Sequence, residues 1–87
     1  MLNITSAKVI SGHTLDLRFN DGTHGEVDLS TELTGAIFAE LRDPEKFKEA
    51  YLDPELRTVC WPNGADFAPE FLRSLVSDKQ RVLHRKS

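Results

Sequence analysis

The stretch Thr14-Leu15-Asp16-Leu17-Arg18-Phe19 alternates polar and apolar residues. A glycine-bearing turn sequence closes it on each side, Ser11-Gly12-His13 before and Asn20-Asp21-Gly22 after. A period of two puts Leu15, Leu17 and Phe19 on one face of a strand and Thr14, Asp16 and Arg18 on the other. Connections this short cannot make a crossover, so both neighbouring strands must run antiparallel. Val27 and Leu29 alternate with Glu26 and Asp28 on one side, and Ala7 and Val9 flank Lys8 on the other. The chain is therefore expected to open as a three-stranded antiparallel meander with one buried face.

The turns fix the expected register. A three-residue Ser11-Gly12-His13 loop sets Val9 opposite Leu15, Ala7 opposite Leu17, and Lys8 opposite Asp16 on the outer face. At the second turn, Asp21-Gly22 suggests a two-residue loop. That register would set Leu17 against Glu26 and turn a buried face outward. A three-residue loop with Gly22 in the left-handed region sets Leu15 opposite Val27 and Leu17 opposite Gly25, and the side-chain pattern selects it.

Beyond the meander, Ser30 or Thr34 is expected to cap a helical segment from about Gly35 to Leu41, with Ile37, Phe38 and Leu41 inward. Asp43-Pro44 reads as a cap followed by proline at the first helical position, starting a turn through Phe47. Ala50-Tyr51-Leu52, the turn Asp53-Pro54-Glu55-Leu56 and Arg57-Thr58-Val59-Cys60-Trp61 read as a second hairpin. Val59 and Trp61 are expected inward and Cys60 on the other face. A last helix is expected to begin between Asp66 and Pro69. Phe67, Phe71, Leu72, Leu75 and Val76 would share one face, and Val82 and Leu83 would continue the stripe. The fold class is α+β: an antiparallel β-meander plus a second β-hairpin, packed with two or three short helices in a single two-layer domain. The domain is expected over 1–87, its core over about 5–76, and 77–87 as a basic helix end or tail.

Charge narrows the function. Residues 1–60 carry 6 Lys/Arg and 11 Asp/Glu, and residues 61–87 carry 5 and 3. An acidic body argues against strong nucleic-acid binding, which needs clustered cations. Lys79, Arg81, Arg85 and Lys86 form the one basic cluster from which weak binding could start, or simply the solvated end of a helix. No apolar run approaches the ~18 residues of a membrane helix. The N-terminus lacks a secretory pattern, and the single cysteine cannot form an internal disulfide, so a cytoplasmic location is expected. A chain of 87 residues buries only about 60–65% of its unfolded surface, so a second copy or a partner would add stability.

No catalytic constellation stands out. His13, His24, His84 and Cys60 lack metal-ligand spacing, so no metal is expected, and the three histidines are read as solvent-exposed. Nothing near Cys60 in sequence would activate its thiol. No glycine-rich phosphate loop occurs, and no cofactor is expected. Phe19, Phe38, Phe47, Phe67 and Phe71 fall in core phase rather than forming a base-stacking platform. The concentrated feature is Trp61-Pro62-Asn63-Gly64-Ala65-Asp66. It reads either as a strand-to-helix corner capped by Asp66, or as a recognition loop. In the second reading Trp61 is the anchor, Asn63 and Asp66 are its polar contacts, and Gly64 makes the reversal.

The run Arg57 to Leu72, centred on Trp-Pro-Asn-Gly-Ala-Asp, resembles the signature of the bacterial domain-of-unknown-function 2442 family. Asn20-Asp21-Gly22, Val27-Asp28-Leu29 and Leu41-Arg42-Asp43-Pro44-Glu45-Lys46-Phe47 are similar to it as well, and the likeness spans about residues 5–75. The resemblance implies an α+β fold and no catalytic activity. It also implies an adjacently encoded small protein, in an arrangement like a toxin–antitoxin pair. Some relatives carry a helix-turn-helix domain after this one. The sequence stops at Ser87 without it, so direct DNA binding is not expected.

The leading expectation is a non-enzymatic protein–protein interaction or regulatory, antitoxin-like module. It would contact a partner through Trp61, Asn63, Gly64 and Asp66 or through an exposed edge strand by β-addition. The alternatives are a weak nucleic-acid accessory using the basic cluster, and a small-molecule site or thiol enzyme around Asp66 and Cys60. Homodimerisation is the alternative to a foreign partner.

Overall fold

β1 (Ile4–Ser11), β2 (Thr14–Phe19) and β3 (His24–Asp28) form one antiparallel sheet in the order β1-β2-β3 in the computed structural model, which describes residues 1–76. Leu15 pairs with Val9 on one side and Val27 on the other, Leu17 with Ala7 and Gly25, and Lys8 with Asp16. These are the pairings that the side-chain alternation requires. Two bulges keep β1 in phase with the core. The first, at Thr5, lets Ile4 sit opposite Phe19 and Ala7 opposite Leu17, so both reach the inner face. The second, at Ile10, pairs Ser11 with Thr14, so the first turn is Gly12-His13 rather than the expected three-residue loop. The second turn has the expected form: Gly22 has φ +89° and donates to the Phe19 carbonyl at 3.1 Å.

The middle is more broken than the sequence suggests. A 3₁₀ turn at Ser30–Glu32 precedes α1 (Ala36–Ala39), a second 3₁₀ turn at Glu40–Arg42 and α2 (Pro44–Phe47). Neither Ser30 nor Thr34 caps α1; its N-cap is Gly35 at φ +86°, which has no side chain to offer. Instead the Asp28 carboxylate accepts from the Ser30 N–H. Tightening to 3₁₀ geometry at Glu40 aligns residues three apart. Leu41 is buried and Phe38 half-buried on that line, while Ile37 turns outward and is 47% exposed, against expectation. α2 starts as expected, with the Asp43 carboxylate accepting from the Glu45 N–H and Pro44 in the first turn.

β4 (Tyr51–Asp53) and β5 (Thr58–Cys60) make the second hairpin. Asp53 accepts from the N–H groups of Glu55 and Leu56, and the Arg57 N–H closes on the Asp53 carbonyl at 2.8 Å. Arg57, at φ +56°, belongs to this turn and not to the strand. The last helix, α3 (69–76), lays Leu72 and Val76 into the core. Val76 approaches so closely that a Cβ on Gly25 would lie 3.2 Å from it. Val82 and Leu83 lie outside the described residues.

The core joins Ile4, Leu15, Leu17, Phe19, Val27 and Leu29 of the first sheet and its flanks to Leu41, Phe47, Val59, Trp61, Leu72 and Val76. It is a two-layer α+β domain with a mostly charged outer sheet face. Cys60 is buried as well, contrary to the expected alternation, because the chain returns against it at Asp66.

Candidate functional site

The Trp61–Asp66 corner is a second copy of the Asn20-Asp21-Gly22 turn. Trp61 N–H donates to the Ala65 carbonyl and Gly64 N–H to the Trp61 carbonyl, both at 2.9 Å. In the Asn20-Asp21-Gly22 turn, Phe19 N–H donates to the Thr23 carbonyl and Gly22 N–H to the Phe19 carbonyl in the same way. Gly64 has φ +92° where Gly22 has +89°. The Asn63 side-chain oxygen Oδ1 accepts from Ala65 N–H as the Asp21 carboxylate accepts from Thr23 N–H. Each is a three-residue loop closed by a left-handed glycine. The chain thus reverses at the corner and bridges back antiparallel, Cys60 to Asp66.

This geometry relocates the expected contact residues. Trp61 is 1% exposed, and its Nε1–H donates to the Phe47 carbonyl at 2.9 Å, so it is a core residue and not a surface anchor. Asn63 is exposed, but its amide also donates to the Ile37 carbonyl at 2.8 Å, which ties the turn to α1. Asp66 is exposed, and α3 begins three residues later, so Asp66 does not cap it. A shallow depression of about 270 Å³ lies beside the turn, between Glu40, Lys46, Glu49 and Pro62. The corner therefore brings Trp61, Asn63 and Gly64 together as a folding device.

Burial pushes the Cys60 thiol pKa up, and the carboxylates of Asp53 and Asp66 add to that, so the thiol stays protonated at neutral pH. The thiol points to the Thr58 carbonyl. His13 is half-buried, not solvent-exposed. Its Nε2 lies 2.8 Å from the Arg42 carbonyl and its ring meets Phe47 edge-on, pinning the first turn to the helical middle. A carbonyl only accepts, so Nε2 carries the proton. His24 is exposed, and among the described residues no group of three His, Cys, Asp or Glu side chains converges. Phe38, Phe67 and Phe71 stack in series, with centroids 4.7 and 5.5 Å apart, and Phe71 is 37% exposed. Phe67 stands between the other two rings. Lys79, Arg81, Arg85, Lys86 and His84 lie outside the described residues.

The second place expected to meet a partner is an exposed edge strand, which the sequence does not specify; the structure leaves the edge of β1 free. The carbonyls of His13 and Thr23 take the N–H groups of Leu29 and Phe19, so the odd-numbered residues of β2 bond to β3. The even-numbered residues then bond to β1, through Ser6 and Lys8. The backbone groups of Ala7 and Val9 consequently point away from the sheet. β4 pairs with β5 and does not continue the first sheet; only Ile4 N–H reaches across, to the Arg57 carbonyl at 3.0 Å. Between this edge and the segment before β4 runs an open groove of about 500 Å³, lined by Ala7, Lys8, Val9, Ile10, Lys48 and Ala50 among others. The alternation of β1 was legible in the sequence. That β4 would leave the edge unpaired was not.

The family model described as a protein of unknown function (DUF2442) matches residues 4–76. The chain belongs to the DUF2442 family. That match takes in every strand and helix described above, the Trp61–Asp66 turn and the β1 edge. No curated protein and no solved structure matches the DUF2442 chain. Among its described residues no helix is long and apolar enough to cross a membrane.

Proposed function

We propose that this DUF2442 domain is a non-enzymatic protein–protein interaction module, the regulatory, antitoxin-like member of a two-protein pair. One observation carries the reading: the edge of β1 presents unpaired backbone groups beside an open groove. Such an edge is a template for a strand from another chain. Ile10, 41% exposed, lies along the same groove. The Trp61–Asp66 corner offers less, since the indole N–H and the Asn63 amide are already committed within the chain.

The test is native co-purification of the N-terminally tagged chain expressed from its own locus, at moderate salt, before and after nuclease. A stoichiometric protein that survives nuclease is the expected result. Elution of the chain alone, as monomer or dimer, would overturn the reading.

A further inference from the structure

The interaction reading leaves the chemistry of the partner open, and the β1 edge narrows it. We infer that the partner contributes an extended segment that adds to β1 alongside Ser6–Val9, with apolar residues on its inner face and a carboxylate on its outer face opposite Lys8. The inference rests on the interaction-module reading.

The flat part of the edge is short. The bulges at Thr5 and Ile10 bound it to Ser6–Val9, with outward backbone groups at Ala7 and Val9. On the inner face the sheet is incompletely roofed at this strand. Leu15 and Leu17 are fully buried, but their partners Val9 and Ala7 are only half-buried, and the groove runs beneath them to Ala50. A strand hydrogen-bonded to Ala7 and Val9 would set its inward side chains over these small apolar residues, and they must be apolar too. Its intervening side chain emerges on the outer face beside Lys8. Lys8 is exposed and makes no ion pair within 4 Å among the described residues. Lys48 lines the other rim. Lys48 is already paired with Glu45 at 3.1 Å, so it is Lys8, which faces Asp16 across the ladder without an ion pair within 4 Å, whose charge favours a carboxylate.

The same geometry disfavours a second copy. Antiparallel self-pairing that uses both Ala7 and Val9 sets Lys8 directly opposite its own counterpart, and like charges in that position repel.

The experiment titrates the isotope-labelled chain with two capped heptapeptides, one alternating valine with glutamate and one alternating valine with lysine, following backbone amide shifts by NMR. The expected result is a response to the glutamate peptide confined to residues 6–10 and 48–51. Lys8→Glu should weaken that response roughly fivefold or more and transfer the preference to the lysine peptide. Val9→Pro removes one outward N–H without touching the β1–β2 ladder and should weaken both peptides. If Val9→Pro does not fold, the exposed Lys8→Glu substitution still decides. Equal binding of both peptides, or shifts elsewhere, would overturn the inference. So would concentration-dependent dimer signals at residues 6–10 without peptide. A co-purified protein whose capture is unchanged by Lys8→Glu would sink the inference and leave the interaction reading standing. A chain that purifies alone would sink the interaction reading and this inference with it.

Discussion

The indole of Trp61 fills the core and donates to the Phe47 carbonyl, so it cannot be shortened without two losses. Trp61→Phe should leave a void and a buried carbonyl without its donor, and cost about 2–4 kcal/mol by chemical denaturation. Gly64→Ala isolates a different cause. Nothing lies within 4 Å of a Cβ there, so the expected loss of about 1 kcal/mol comes from φ +92° alone. Arg57, at φ +56°, is the reverse case: its backbone carbonyl receives Ile4 N–H whatever the side chain. Arg57→Gly should therefore raise stability by about 0.5–1 kcal/mol, strain relief outweighing the added freedom of the unfolded chain. At this scale the sequence announced its glycines well. Gly22 and Gly64 sit where turn chemistry asks for them. It concealed Arg57, because nothing in the residue type marks a left-handed arginine. It left Trp61 open to two readings: strand alternation turned it inward, as the structure has it, while an aromatic beside Pro-Asn-Gly also suits a surface anchor.

Helices of four residues have little stability of their own, so α1 and α2 persist through what they pack against and how they start. Asp43→Ala should cost about 1 kcal/mol by removing the acceptor for Glu45 N–H. α3 is tethered by charge: Arg73 Nε donates to the Asp21 carboxylate at 3.0 Å. The Thr23 backbone N–H and then Arg73 lower the Asp21 pKa from 3.8 to about 2. A carboxylate whose folded pKa is depressed stabilises the fold when ionised. That contribution is complete above the unfolded value near 4 and fades as pH falls toward 2. Urea denaturation of the parent and Asp21→Asn across this range should show two stabilities that differ at pH 5 and converge at the acid end. The strands were legible because a period of two with fixed turn lengths leaves one register. The helical middle was not, because a segment so short carries barely one period, and the shift from α to 3₁₀ that turned Ile37 outward leaves no mark in composition. The Pro62-Asn63-Gly64 turn was legible in principle, since Asn20-Asp21-Gly22 had already shown its form. Reading Asp66 as a helix cap hid the likeness.

The molecule as a whole is a small core held between two separate sheets. The meander supplies one face, and the second hairpin with the Trp61–Asp66 turn closes one end. Among the described residues of the meander, only the start of β1 hydrogen-bonds to that hairpin. The fold class was visible because hairpins and turns are local. How the two sheets meet was not, because it depends on contacts between residues some fifty positions apart, such as Ile4 with Arg57. The unpaired edge of β1 follows from that arrangement and has a signature in time as well as in space. Along residues 6–9 every second amide is bonded to β2 and the others face water. Deuterium should therefore enter at Ala7 and Val9 within the dead time of an exchange experiment, while Ser6 and Lys8 wait on opening of the ladder. The central strand, bonded on both sides, should be the last to exchange. A chain engaged along this edge would lose the alternating rhythm, and β1 would then keep the same slow clock as β2.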